Sequence, residues 1–141
     1  MSTSTEAWEA LHRAQITGLR ELRGGFRTES VTFGEYDVLH VLSTAGDNGM
    51  RLNRLNEYVP LTQSSLSRML DRLEARRFVE KLQDPEDGRG LILRLTDRGR
   101  DLHATIGAAH DTRAAEFMTA ALTPEEIDTL TRLATKLHTQ S

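Results

Sequence analysis

The sequence predicts a mainly α-helical fold with a small β-wing, a winged helix-turn-helix flanked by N- and C-terminal dimerisation helices. Three observations predict it. Two helical patterns meet across Pro60 with only a couple of residues between them, and residues 79–83 and 91–95 alternate with a period of two around a charged seven-residue tip. Long amphipathic patterns occupy both ends of the chain. The closely spaced helices give a helix-turn-helix and the alternating segments a hairpin beside it; the terminal helices carry apolar stripes that need a partner.

Taken in order, residues 6–23 place Trp8, Leu11, Ile16, Leu19 and Leu22 mostly three or four apart, the spacing of an amphipathic helix, and Gly24-Gly25 breaks it. Thr32-Phe33-Gly34-Glu35 opens the next helix with a capping box, in which the threonine hydroxyl accepts from a backbone N–H three residues on and the glutamate reaches back. Ala45 through Gly49 ends it, and Met50-Arg51-Leu52 supplies a short extended piece. Asn53 is expected to cap a short helix containing Leu55, Tyr58 and Val59, with Pro60 as its stop. The following helix turns Leu66, Met69, Leu70 and Leu73 inward and Gln63, Ser64, Ser67, Arg68, Asp71 and Arg72 outward. Two strands come next, 79–83 and 91–95. Thr96 then caps a helix running to about residue 121, and Thr123-Pro124-Glu125-Glu126 starts the last one with an N-cap threonine, an N1 proline, first-turn acids and Glu126 as the capping-box glutamate. Ile127, Leu130, Leu133, Ala134 and Leu137 form its apolar face.

The 141 residues, 38% hydrophobic and 28% charged, suit a single domain, 1–141, in which 33–98 form the winged helix-turn-helix and 5–28 and 99–140 the dimerisation helices. A second copy of the chain is the expected partner for those terminal stripes. No run approaches the roughly 20 apolar residues of a membrane helix, and MSTSTEAWEALHR lacks the basic start and apolar core of a signal peptide. A cytoplasmic protein with no membrane partner is expected. The absence of cysteine excludes disulfides, thiolate metal sites and thiol nucleophiles. His12, His40, His103, His110 and His138 include no i, i+4 pair, and no nucleophile elbow, phosphate-binding glycine loop or dinucleotide fingerprint occurs. Neither a metal, a cofactor nor a catalytic site is expected, so the chain is not read as an enzyme.

A net charge of −3 and pI near 5.9 conceal an asymmetry. Residues 51–100 hold eleven Lys/Arg against eight Asp/Glu, while the rest of the chain is acidic, the distribution expected if one face meets phosphates. Thr62, Gln63, Ser64 and Ser65 stand at a helix N-terminus, where free N–H groups favour phosphate and short side chains permit close approach. Glutamine can pair bidentately with adenine and arginine with guanine, which makes Gln63 and Arg68 candidates for reading base edges in a major groove. Arg89 at the hairpin tip suits a narrow minor groove, and Asp87 two residues earlier can orient its guanidinium. The plainer role of Arg76 is pairing with an acid one turn away. The competing function is a helical homodimeric interaction module without specific DNA binding, for which the Arg89 loop would be dispensable.

The segment Asp87-Gly88-Arg89-Gly90-Leu91-Ile92-Leu93-Arg94-Leu95-Thr96-Asp97-Arg98-Gly99, with Ser67-Arg68 and Arg72-Leu73-Glu74 before it, resembles the MarR family of bacterial transcriptional regulators, and the layout of the terminal helices is similar too. The resemblance implies a homodimer on double-stranded DNA, the recognition helix in the major groove and Arg89 in the minor groove. The implied contacts are Thr62, Gln63, Ser64, Ser65, Ser67, Arg68, Arg72, Asp87, Arg89 and Arg94. It also implies a small-molecule effector, for which Trp8, His12, Asp37 and His40, with Arg13, lie on the relevant segments. Repression of a pseudo-palindromic operator relieved by that effector follows. Two positions depart from the family pattern. Arg77 stands where a glycine is usual, which leaves either strain or another geometry at that helix end, and Lys81 replaces a common arginine.

Overall fold

The computed structural model of the protein describes residues 1–86, 88 and 90–140. In order, α1 (Ser4–Gly24) and α2 (Phe33–Ser43) precede a one-turn 3-10 helix at Gly46–Asn48, then β1 (Met50–Arg51), α3 (Leu52–Asn56) and α4 (Gln63–Ala75). Strands β2 (Val79–Gln83) and β3 (Leu91–Leu95) lead to α5 (Asp97–Thr119) and α6 (Pro124–Thr139). Residue contacts divide the chain into two units, Met1–Gly25 with Ala109–Ser141, and Phe26–Ala108. The winged helix-turn-helix lies in the second. Among the described residues no helix is long and apolar enough to cross a membrane.

The second unit holds the core. Its sheet has the order β1-β3-β2, both pairs antiparallel, with Met50 opposite Leu93 and Val79 opposite Leu95. Leu66, Leu70 and Leu73 of α4 are buried against Val38, Leu39 and Leu42 of α2, Leu55 of α3 and Leu93 of β3 in one apolar cluster. Gly49, at φ 73°, is required where the chain enters β1: a Cβ there would sit 2.6 Å from the Leu93 carbonyl oxygen. The capping box at Thr32 and Glu35 forms as the sequence predicts, with bonds of 3.1 and 2.9 Å, and fixes the start of α2.

Two local expectations are corrected. Asn53 does not cap α3. The N-cap is Arg51, and Asn53 lies inside the helix with its side-chain oxygen accepting from the Arg54 N–H at 2.9 Å. Nor does Pro60 end that helix. It stops at Asn56, leaving Tyr58 and Val59 outside, because the Asn56 amide donates to the Leu61 carbonyl at 2.8 Å and bends the chain into the turn earlier. Proline restricts the residue directly before it, so it forbids helix at Val59 and leaves the earlier end open.

In the first unit α1 starts from an N-cap at Thr3 and α6 from the predicted capping box at Thr123 and Glu126. Gly18 packs near Phe117, whose ring would stand 3.3 Å from an added Cβ, and Arg113 donates to the Glu21 carbonyl at 3.0 Å. Apolar side chains remain uncovered on both terminal helices. Trp8 is 61% exposed and Ile16 43%, and on α6 Leu133 is 46% and Leu137 54%. Among the described residues, no buried hydrophobic side chain belongs to this unit.

Candidate nucleic-acid interface

Helix α4 is built by two sets of residues. Thr62 starts it, its Oγ1 accepting from the Ser65 N–H at 3.2 Å while donating to Ser65 Oγ at 3.0 Å. Leu66, Met69, Leu70 and Leu73 are buried along one side, so the opposite side must face outward. That outward side carries Gln63, Ser64, Arg68 and Arg72, all exposed, with Ser65 and Ser67 half-buried beside them. Arg68 is steadied along the helix by donating to Ser65 Oγ at 3.3 Å. Seven of the ten predicted DNA contacts, Thr62 through Arg72, are thus gathered on one helix.

The charge arrangement around α4 separates its acids from its arginines. Lys81 of β2 takes both Asp71 and Glu74, a close contact to the first and 3.6 Å to the second. The hydrogen bond that Lys81 donates to Asp71 raises the lysine pKa above its ordinary value of 10.5, and the Glu74 charge adds to it against the opposing effect of burial. Among the described residues no ion pair includes Arg68 or Arg72. A helix surface with two unneutralised guanidiniums and a cap of hydroxyls is suited to phosphate and base edges.

Arg94 is placed differently. It stands opposite Glu80 in the β2–β3 ladder and pairs with it closely, with a second, longer bond to the Asp47 carbonyl at 3.4 Å. The expectation for Arg76 is corrected: among the described residues no ion pair includes it, and its guanidinium lies 4.8 Å from the centre of the Phe78 ring, with Arg98 over the same ring at 5.0 Å. Asp87 and Arg89 lie outside the described residues.

Sequence reasoning missed Arg54 and Arg51. Arg54, on α3, donates to the Tyr58 hydroxyl at 3.1 Å and lies over that ring, an i, i+4 pairing that the spacing alone could have flagged. Arg51 has no such signal, since its partner Asp84 is 33 positions away. The residues expected to meet an effector belong to both units. Trp8 and His12 stack on α1 in the first unit, ring centres 6.2 Å apart. In the second, Asp37 is half-buried on α2, and His40 Nδ1 lies 3.0 Å from His103 Nε2, with His103 stacked on Tyr36.

Comparison with known proteins adds to this geometry. Residues 30–90 match the profile of the MarR family. The HTH-type transcriptional regulator YkoM of Bacillus subtilis, itself described as uncharacterised, is 32% identical over 108 residues, 75% of this chain and 68% of that protein. Among solved structures, a mutant MarR from E. coli complexed with operator DNA superposes with a TM-score of 0.77 at 26% identity, covering 92% of this chain and 91% of that one. The PcaV transcriptional regulator from Streptomyces coelicolor, in complex with its natural ligand, gives 0.68 at 26% identity, covering 96% and 92%.

Proposed function

The chain belongs to the MarR family of transcriptional regulators, and on that premise we propose that it binds a pseudo-palindromic operator as a homodimer, represses transcription there, and is released by a small-molecule effector. The observation that carries the DNA-reading part is the outward face of α4, where Gln63, Ser64, Arg68 and Arg72 are presented while Lys81 occupies the neighbouring acids. Gln63 and Arg68 read base edges, Thr62, Ser64, Ser65, Ser67 and Arg72 hold phosphates, and Arg89, steadied by Asp87, enters the minor groove. Arg94 belongs to the ladder through Glu80.

Dimerisation is supported by the uncovered leucines of α6 and the exposed Trp8 and Ile16 of α1. Burying them in a symmetric pair sets two copies of α4 about one DNA turn apart, roughly 34 Å. The solved complex of PcaV with its natural ligand supports an effector here. Trp8, His12, Asp37 and His40 are each separate candidates for touching it, and Trp8, the only tryptophan, is a fluorescence reporter.

Selection from a random duplex library tests the reading. Enrichment of an inverted repeat with half-sites one turn apart, lost in Arg68→Ala, is the expected result. Failure to enrich any sequence would overturn specific recognition and leave the interaction-module reading.

A further inference from the structure

At the base of the wing a carboxylate is buried beside an arginine from another strand. Asp84, directly after β2, is 3% exposed, and Arg51 of β1, itself half exposed, brings Nη2 within 2.5 Å of its Oδ2. The register explains how residues 33 apart meet. Arg51 stands opposite Ile92 on β3, and Ile92 opposite Leu82 on β2, so the three side chains share one face of the sheet. Asp84, two residues past Leu82, keeps that parity. Its own rung continues the ladder, since the Asp84 N–H donates to the Gly90 carbonyl at 2.9 Å. On β3's side that rung is therefore a glycine, with no side chain to stand between guanidinium and carboxylate.

The same carboxylate reaches into the loop: Asp84 Oδ1 accepts from the Glu86 N–H at 2.9 Å. The neighbouring Gln83 amide donates to the Gly88 carbonyl at 2.5 Å. Both residues at the hairpin's end thus hold described residues of the loop that contains Arg89 in sequence. A buried carboxylate is tolerated when counter-charge meets it, and removing Arg51 takes away the counter-charge that β1 supplies, which loosens the tie between that strand and the base of the wing.

We infer that Arg51 and Asp84 form a positioning lock in which β1 fixes the base of the wing, so that Arg51 governs the affinity Arg89 contributes without itself touching DNA. This rests on the assignment of Arg89 to the minor groove. Asp84 is the receiving half and Arg51 the holding half. A lysine at 51 keeps the charge that faces Asp84 Oδ2, so it should retain much of what arginine supplies here.

The test is a double-mutant cycle on the selected operator, read by fluorescence anisotropy with full-length Arg51→Ala, Arg51→Lys, Asp84→Asn and Arg89→Ala, and with Arg51→Ala/Arg89→Ala. Arg51→Ala is expected to weaken binding by about tenfold, within the range for loss of one specific contact. Arg51→Lys should restore most of that loss, and Arg51→Ala should add nothing once Arg89 is alanine. Asp84→Asn keeps the Oδ1 acceptor and the shape of the side chain, and should follow Arg51→Ala. Trypsin cleavage after Arg89, followed by mass spectrometry without DNA, should be several times faster in Arg51→Ala and Asp84→Asn than in the wild type. An equal loss from Arg51→Ala in both Arg89 backgrounds, or unchanged cleavage, overturns the lock while leaving the Arg89 assignment standing. Unaltered affinity in Arg89→Ala alone overturns that assignment and the lock with it.

Discussion

Replacing Arg77 by glycine should make the protein more stable. Arg77 follows the C-cap of α4 with φ at 63°, the one non-glycine residue with positive φ among the described residues. Its backbone serves the fold: the N–H donates to the Glu74 carbonyl at 2.9 Å and the carbonyl accepts from Thr96 Oγ1 at 2.5 Å. Its side chain is exposed and belongs to none of the described ion pairs, so truncating it removes little from the folded state. A Cβ in the left-handed region costs about 1–2 kcal/mol. Glycine returns roughly 0.4–1 kcal/mol of that through the greater freedom of its unfolded chain. The net expectation for Arg77→Gly is a gain of about 0.5–1 kcal/mol, read as a higher urea midpoint with unchanged slope at fixed protomer concentration. Arg77→Ala keeps the Cβ and should stay within about 0.5 kcal/mol of the wild type. If Arg77→Gly is no more stable than the wild type, the strain argument fails.

Three other outcomes follow from particular contacts. Gly99→Ala would place a Cβ 2.0 Å from the Phe78 carbonyl oxygen, which already accepts the Thr96 N–H, so the start of α5 must move away from β2; a loss of about 3 kcal/mol or more is expected in denaturant unfolding, and a loss below 1 kcal/mol would contradict the close approach. Leu133→Glu puts a charge into the uncovered face of α6 and should raise the dimer dissociation constant at least about tenfold by sedimentation equilibrium; an unchanged constant would remove α6 from the interface. The folded-state pKa of Lys81 is raised, so its contribution is complete below 10.5 and disappears as pH rises through the higher folded value; the stability advantage of wild type over Lys81→Met should therefore be greatest near neutrality and shrink above pH 10.5, and a difference independent of pH would refute the pairing with Asp71 and Glu74.

What the sequence reveals about this fold depends on how far apart the interacting residues lie. The capping boxes at Thr32 and Thr123 are decided within four residues, and both form as read; Thr62, placed by the sequence at the start of α4, serves there as its N-cap. The strands 79–83 and 91–95 are legible because alternation survives wherever one face is buried. Helix α3 defeats local reasoning: five residues long, it starts without a side-chain cap and ends where Asn56 bonds across the turn. The outward face of α4 follows from its 3.6-residue period. The neutralisation of its acids by Lys81 does not, because that pairing exists only once β2 lies beside the helix. The Arg51–Asp84 pair is hidden for the same reason, two residues that a sheet brings together across an intervening strand.

Recognition of operator sequence by α4 is decided by titrating the selected operator and a scrambled duplex with wild type, Gln63→Ala and Arg68→Ala at two salt concentrations. Each substitution should lower operator affinity by about 1–3 kcal/mol and relax preference at one base position, leaving the weak, salt-sensitive binding to scrambled DNA nearly unchanged. Equal losses on both duplexes, or none on either, would contradict it.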